Sequence, residues 1–516
     1  MQRVGIVRPR LLLADADVDL QAPASHEGRG LNQDLALEPL LRAMGAGNPT
    51  IERIAERVIL DPLTDEGAIA HRQAVLRTCL AHPDVVRALF DLTERTLERR
   101  RRVYWGLVRR ADAIVHHGIE LIRVYHHALR EMRALADAHA GAIGPDGLGA
   151  FLERVRHTVD DALLDEMAGH VKGLRFRAGV RVSARLGVGN AGADYRLEPP
   201  AARRAPLRTT LDMLWSALTR REPAVLTYRV PNHFDAGVRA LADLKARGLE
   251  RTAHAVAEAC NDLLWLFRQL HGELAFYVGC VNLAESLDAL GAPRCEPSPH
   301  PVAAQVRRAR GLYDPSLALT LGAAPVGNDV DADGKDLILV TGANQGGKTT
   351  FLRGLGTAQL MLQAGMFAPA QAFEASVTTG LFTHFTRRED TAMRRGKLDE
   401  ELARLSATLD RVGPQATLLC NESFASTNER EGSELALGVV RALTESKVRV
   451  VFVTHLSGFA SACAAAGRAG TLSLRAQRRE SGERTFRIVE GAPERTAHAV
   501  DLYRDVIERG ARAKAS

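Results

Sequence analysis

Residues 336–350 read D-L-I-L-V-T-G-A-N-Q-G-G-K-T-T. Four apolar residues, Leu337 to Val340, run up to Gly342, and the pattern G-x-x-x-x-G-K-T follows, filled by Gly342, Gly347, Lys348 and Thr349. That order reads as a strand, a phosphate-cradling loop and a helix, the P-loop arrangement. Glycines let backbone N–H groups crowd around a polyphosphate. A helix opening near Thr349 turns its partial positive end toward the same anion. Lys348 offers a point charge for the β- and γ-phosphates, and the Thr349 hydroxyl suits Mg2+. The loop Gly342, Ala343, Asn344, Gln345, Gly346, Gly347, Lys348, Thr349 and Thr350 is therefore the expected ATP site. A chance match is the competing reading. The apolar strand before the loop and the helix-like FLRGLGTAQLMLQAG after it argue against that.

Downstream, strand-like and helix-like segments alternate. Leu381 to Phe385, Ala416 to Cys420 and Val448 to Val453 are expected to be parallel strands of an α/β fold. Residues 470–489 resemble an edge hairpin, and 497–509 a closing helix. The strand ending at Cys420 delivers Asn421, Glu422 and Ser423 to its carboxyl end, where such sheets present their functional groups. Glu422 is the candidate for polarising an attacking water. Asn421 stands where an Asp would help hold the Mg2+ shell. A neutral amide accepts from a metal-bound water but lacks the charge. The expected metal set is thus Thr349, Asn421 and Glu422, with weakened Mg2+ affinity and slow turnover. Thr454 and His455 follow the last strand. His455 is placed to sense a γ-phosphate; the alternative is an ordinary loop histidine.

A chain of 516 residues implies several domains, and 46% hydrophobic residues suffice for large cores. No apolar run reaches the roughly 18 residues of a membrane helix, and MQRVGIVRPR has no signal-peptide character. Six scattered cysteines without a C-x-x-C pair read as reduced core thiols, so a cytoplasmic protein away from membranes is expected. The net charge of +6 is too mild to establish nucleic-acid binding. The run Arg99 to Arg102, near Tyr104, Trp105, Arg109 and Arg110, reads either as a solvated helix face partnered by Glu94 and Glu98 or as a phosphate-contacting patch.

Residues 1–30 read as an extension without strong periodicity, and 31–175 as helical. Leu37, Leu40, Leu41 and Met44 recur at helical spacing, with Pro39 tolerable only in a first turn. Residues 174–200 alternate in β fashion, which predicts a hairpin. Their G-x-G-x-x-G at Gly187, Gly189 and Gly192 leads toward Pro199 and Pro200 instead of opening a helix, so it is not a dinucleotide fingerprint. Two further helices are expected. One starts after a capping Asp235 with Val238, Leu241, Leu244 and Leu249. The other carries a packing stripe of Val256, Cys260, Leu263, Leu264, Phe267 and Leu270. Residues 300–330 read as loop-rich.

Taken together, T-G-A-N-Q-G-G-K-T-T resembles the T-G-P-N-M-G-G-K-S-T loop of the MutS family of DNA mismatch-repair ATPases. NESFASTNEREG is similar to the family's D-E-x-G-R-G-T-S-T-x-x-G block, with Glu422, Thr427 and Gly432 coinciding, and Thr454–His455 match its T-H. The resemblance covers residues 325–465 specifically and the helical region to about 290 more loosely. It implies an ABC-type ATPase domain of mostly parallel sheet at 301–490, a helical core/lever domain at 31–300 and a C-terminal helix at 491–516. It assigns catalytic roles to Glu422, His455 and Lys348. It implies a homodimer in which a signature loop from one protomer completes the other's site. The residues at that position lack the family's G-x-S-T-F; Arg394, Arg395, Gly396 and Lys397 are the candidates to act in trans, or else form a solvated charged loop, and Glu401 fits the glutamate that follows. The family's adenine-stacking aromatic is missing near Pro325, which leaves Val326 and Asn328 to line the base. The chain has no room before its core region for a mismatch-reading domain and connector, so direct mismatch reading is not expected. The implied activity is an ATP-gated DNA clamp in repair or recombination, on double-stranded or branched DNA. A transporter-type ABC ATPase, for which L-S-G-G-Q is missing, and a non-catalytic ATP-dependent scaffold are the alternatives.

Overall fold

The computed structural model describes residues 7–20, 26–103, 110–139, 141–176, 179–188, 192–198, 235–386, 396–479 and 483–493. They form two compact units: Met1–Pro9, Asp91–Ala142 and Leu152–His271 in one, and Arg10–Phe90, Ile143–Phe151 and Gly272–Ser516 in the other.

Among its described residues, the first unit is largely helical, with one hairpin. Helix Ala111–His139 packs on Asp161–Leu174. Gly118 allows a close approach to the helix carrying Val256 and Cys260: a Cβ there would lie 2.1 Å from Val256 Cγ1. Val256, Cys260, Phe267 and Leu270 are buried, and the Tyr125 and Phe267 rings stack at 5.4 Å. Four of the six residues of the packing stripe read from the sequence are therefore core, while Leu263 and Leu264 are half-buried. The hairpin also forms, as antiparallel β1 (Arg181–Leu186) and β2 (Gly192–Glu198). Gly187 lies in its turn and Gly192 begins β2, whereas Gly189 falls outside the described residues.

Two expectations fail in this region. The two helices after residue 235 are one, Asp235–Ala289, because no proline interrupts them; Asp235 begins the helix instead of capping it from outside. Val238, Leu241 and Leu244, expected on its apolar face, are 44%, 59% and 45% exposed, while Leu249 is buried. The basic run Arg99–Arg102 closes the helix Pro83–Arg102, where positive charge complements the helix dipole. Tyr104, Trp105 and Arg109 lie outside the described residues, as does the expected closing helix 497–509.

The second unit holds β3 (Ser298–His300), β4 (Arg307–Leu312), β5 (Asn328–Asp331), β6 (Leu337–Thr341), β7 (Ala372–Ser376), β8 (Leu381–Phe385), β9 (Thr417–Asn421), β10 (Arg449–Val453), β11 (Thr471–Arg478) and β12 (Arg484–Glu490). Its main sheet has the order β12-β11-β6-β10-β9-β8. The five strands from β11 to β8 are parallel, and β12 turns back antiparallel at the edge. β6 and β10 are buried at every position and β9 at four of five. Strands covered on both faces need unbroken apolar runs, which is why they were readable one by one. The helices Lys348–Gln363 and Glu429–Glu445 supply crossovers between parallel strands.

A second, four-stranded sheet, β3-β7-β4-β5, replaces much of the loop expected at 300–330. Its strands are short and lie among prolines; β3 and β4 become strands by pairing with the distant β7, a partner no local pattern reveals, and β5 by pairing with β4. Residues 7–20 are irregular, yet Leu11 and Leu12 are completely buried. Glu273 accepts from the Leu11 and Leu12 N–H groups at 2.6 and 3.2 Å, and Tyr277 Oη donates to Leu11 O at 2.6 Å. The described helices include none long and apolar enough to cross a membrane. All six cysteines are free thiols.

Candidate nucleotide site

β6 stops at Thr341, and the loop after it bends through Gly342 (φ 113°), Gln345 (φ 60°) and Gly347 (φ 93°). A Cβ on Gly342 would sit 3.0 Å from Ala476 N on β11, so both conformation and space require glycine there. Helix Lys348–Gln363 starts at once, with Gly347 as its N-cap and no side-chain cap bond. Its first-turn N–H groups thus point into the loop's concavity, ready for an anion.

Lys348 is buried. Its Nζ donates to Gly342 O (2.9 Å) and Ala343 O (3.0 Å) and lies 3.2 Å from His455 Nε2. Burial lowers the pKa of this ammonium, and the Glu422 carboxylate offsets part of that. At the carboxyl end of β9, Asn421 Oδ1 accepts from Thr349 Oγ1 at 3.0 Å. Next to it Glu422 adopts φ 55°, and its Oε1 is 3.1 Å from His455 Nε2. β10 delivers His455: Thr454 N bonds Val340 O at 3.1 Å, which brings the end of β10 beside the loop. A single ring nitrogen, His455 Nε2, faces both an ammonium and a carboxylate. Protonated it donates to Glu422; unprotonated it accepts from Lys348.

Lys348, Thr349, Asn421, Glu422 and His455, expected from separate motifs, are therefore gathered at the carboxyl ends of three adjacent strands. Other candidates are placed differently. Asn328 is buried, with Oδ1 accepting from Ile488 N at 2.6 Å and Nδ2 donating to Val326 O at 3.3 Å. Its amide ties β5 to β12. Val326 is exposed. Gly396 caps the helix Lys397–Leu409, and Lys397 is exposed at its start. Arg394 and Arg395 lie outside the described residues.

The sequence reading missed β12 as a wall of the loop. Arg484 Nη1 donates to Gln345 Oε1 at 2.7 Å. Phe486, with φ 59° and 49% exposure, lies beside Gly347, its carbonyl oxygen 3.4 Å from where a Cβ there would stand. Its open ring and strained φ mark this wall only in the folded chain; no local sequence pattern does.

A mostly parallel sheet with a Gly-rich loop at the end of a central strand, faced by the polar ends of its neighbours, defines a P-loop domain of the ATPase type. Comparison with known proteins gives the lineage. The MutS2 N-terminal domain model matches residues 64–290, and the MutS domain V model matches residues 338–501. The chain belongs to the MutS family. Its relatives include the DNA mismatch repair protein MutS of Chloroflexus aurantiacus, 30% identical over 29% of this chain and 16% of that protein. The Thermus thermophilus protein of the same name is 29% identical over 36% of this chain and 23% of its own length. The one from Caulobacter vibrioides is 30% identical over 37% and 21%. The chain thus aligns with less than a quarter of the length of each.

Proposed function

We propose that this protein binds and slowly hydrolyses ATP with Mg2+ through an ABC-type domain, and couples that to DNA binding in repair or recombination. The observation that carries this reading is His455 Nε2 standing 3.2 Å from Lys348 Nζ and 3.1 Å from Glu422 Oε1, beside the Thr349–Asn421 pair. Lys348 would exchange its bonds to loop carbonyls for phosphate oxygens. Glu422 would orient the attacking water and take its proton. His455 would hold the carboxylate and report the terminal phosphate. Phe486, Val326 and the β12 edge are the surfaces left for the base.

Mg2+ fits this set. The Thr349 hydroxyl and Asn421 amide oxygen are hard oxygen donors already 3.0 Å apart, and Glu422 is the adjacent carboxylate. Bound there with the phosphates, the ion would neutralise their charge. Only one of the three residues is anionic, so Asn421→Asp is expected to lower the Mg2+ concentration for half-maximal hydrolysis by about tenfold. An unchanged Mg2+ titration removes this account of Asn421.

We further propose the domain layout given above, residues 31–300 as core and lever and 301–490 as ATPase, in a homodimer whose residues Arg394 to Lys397 reach the partner's site. ATP would close the dimer on double-stranded or branched DNA. An ATPase assay across duplex, mismatched, branched and single-stranded DNA tests the whole reading. If basic side chains contact phosphates, DNA affinity should fall by roughly tenfold or more between about 50 and 200 mM salt. Absent or salt-independent binding would count against the DNA part alone.

A further inference from the structure

Glu401 lies in the second turn of the helix Lys397–Leu409 and is only 5% exposed. Its Oε1 accepts from the Phe424 N–H at 2.6 Å. Its Oε2 is buried and has no hydrogen-bond partner among the described residues. Such an oxygen is costly, so packing alone does not explain a carboxylate here.

The bond ends in a strained turn. Glu422 has φ 55° and Phe424 φ 66°, a backbone region that side-chain-bearing residues hold only when their surroundings over-determine it. The surroundings come from two elements. From the end of β8, Thr386 N donates to Asn421 O (3.1 Å) and Thr386 Oγ1 to Glu422 O (2.6 Å). His384 Nδ1 is 2.7 Å from Ser423 Oγ, and its Nε2 is 3.3 Å from Glu401 O. The Ser423 hydroxyl donates to His384 O at 2.9 Å, so its oxygen is left to accept from His384 Nδ1–H. From the helix, the Glu401 side chain reaches the main chain after Glu422 at the Phe424 N–H. The two elements therefore grip the turn from both sides of Ser423.

We propose that Glu401 is a positioning residue for Glu422: it anchors the helix Lys397–Leu409 to the turn that aims the Glu422 carboxylate at the phosphate site. This rests on the reading of Glu422 as the group that activates water. Glu401, placed this way, sets hydrolysis in its own protomer without itself touching the nucleotide.

The test compares Glu401→Ala and Glu401→Gln in the full chain by three measurements: single-turnover ATP hydrolysis, equilibrium ATP affinity, and hydrogen exchange over residues 421–426. Loss of the bond in Glu401→Ala should slow hydrolysis about tenfold or more, keep ATP affinity within about threefold, and speed exchange at the Phe424 amide. Glu401→Gln keeps a carbonyl acceptor and should stay within about threefold of the parent in rate and exchange. Glu401→Ala with unchanged rate and exchange overturns the proposal. So does a parallel loss of rate, ATP affinity and thermal stability, or a Gln variant no better than Ala. If the parent binds ATP without hydrolysing it, the catalytic reading has failed, and the exchange comparison still decides whether Glu401 positions the turn.

Discussion

Glu422→Gln should slow single-turnover ATP hydrolysis by about 10²- to 10⁴-fold and leave ATP affinity nearly unchanged. The amide is isosteric and can still accept from water or from His455 Nε2, but it cannot take a proton. The backbone bonds that hold position 422, to Thr386 and to Val453 O, involve no side-chain atom of Glu422 and survive the change. A second effect follows from charge. Glu422 is the group that raises the burial-lowered pKa of Lys348, so its loss should lower that pKa further. The contribution of the ammonium to phosphate affinity is present below the Lys348 pKa and fades as pH rises through it. ATP affinity of the variant should therefore weaken at a lower alkaline pH than that of the parent, within the interval below the ordinary lysine value. Hydrolysis unaffected by the amide would remove Glu422 from the mechanism. An identical pH dependence would break its electrostatic link to Lys348.

Glu273→Leu should destabilise the P-loop unit by about 3–5 kcal/mol, although residue 273 is remote in sequence from every site motif. The substitution orphans two buried N–H groups, those of Leu11 and Leu12. It also removes one of the charges that counter the desolvation of buried Arg72, whose Nε holds Leu12 O at 2.9 Å. Denaturant unfolding gives the loss, and hydrogen exchange at residues 10–20 should rise well before the main sheet opens. Glu273→Gln, keeping one acceptor, should recover part of the stability. An unfolding midpoint that does not move, with residues 10–20 still protected, would show that the segment is held by its leucines alone.

How much could be read in advance differs residue by residue. β9 and β10 were visible because each is an apolar run of strand length, and β8 because Leu381, Phe382 and Phe385 bound a segment of strand length; their order around β6 was not read from the sequence. Lys348, Thr349, Asn421, Glu422 and His455 were legible because each closes or follows such a run, and the carboxyl ends of parallel strands meet on one side of a sheet. Phe486 was passed over because an edge hairpin looks the same whether or not its strand borders a loop. Asn328 was read as a base contact because its chemical type suited one, whereas its amide is taken up by Val326 O and Ile488 N. The exposed Val238, Leu241 and Leu244 kept the helical period and still did not become core, since periodicity marks a face but not what covers it.

The amino-acid order alone determined the P-loop, the parallel strands beside it and the polar residues at their ends. Those depend on φ/ψ preferences, apolar runs and spacings within about twenty residues. Only the tertiary structure decided that β3, β4 and β5 are a sheet, that β12 walls the loop, that Glu401 grips the turn after Glu422, and that Leu11 and Leu12 are bound into the core. Each of these is a meeting of groups far apart in the chain; Glu273 and Leu11 are separated by 262 positions. A buried N–H or carboxylate needs a partner but does not specify where in the sequence it comes from, and the folded packing makes that choice.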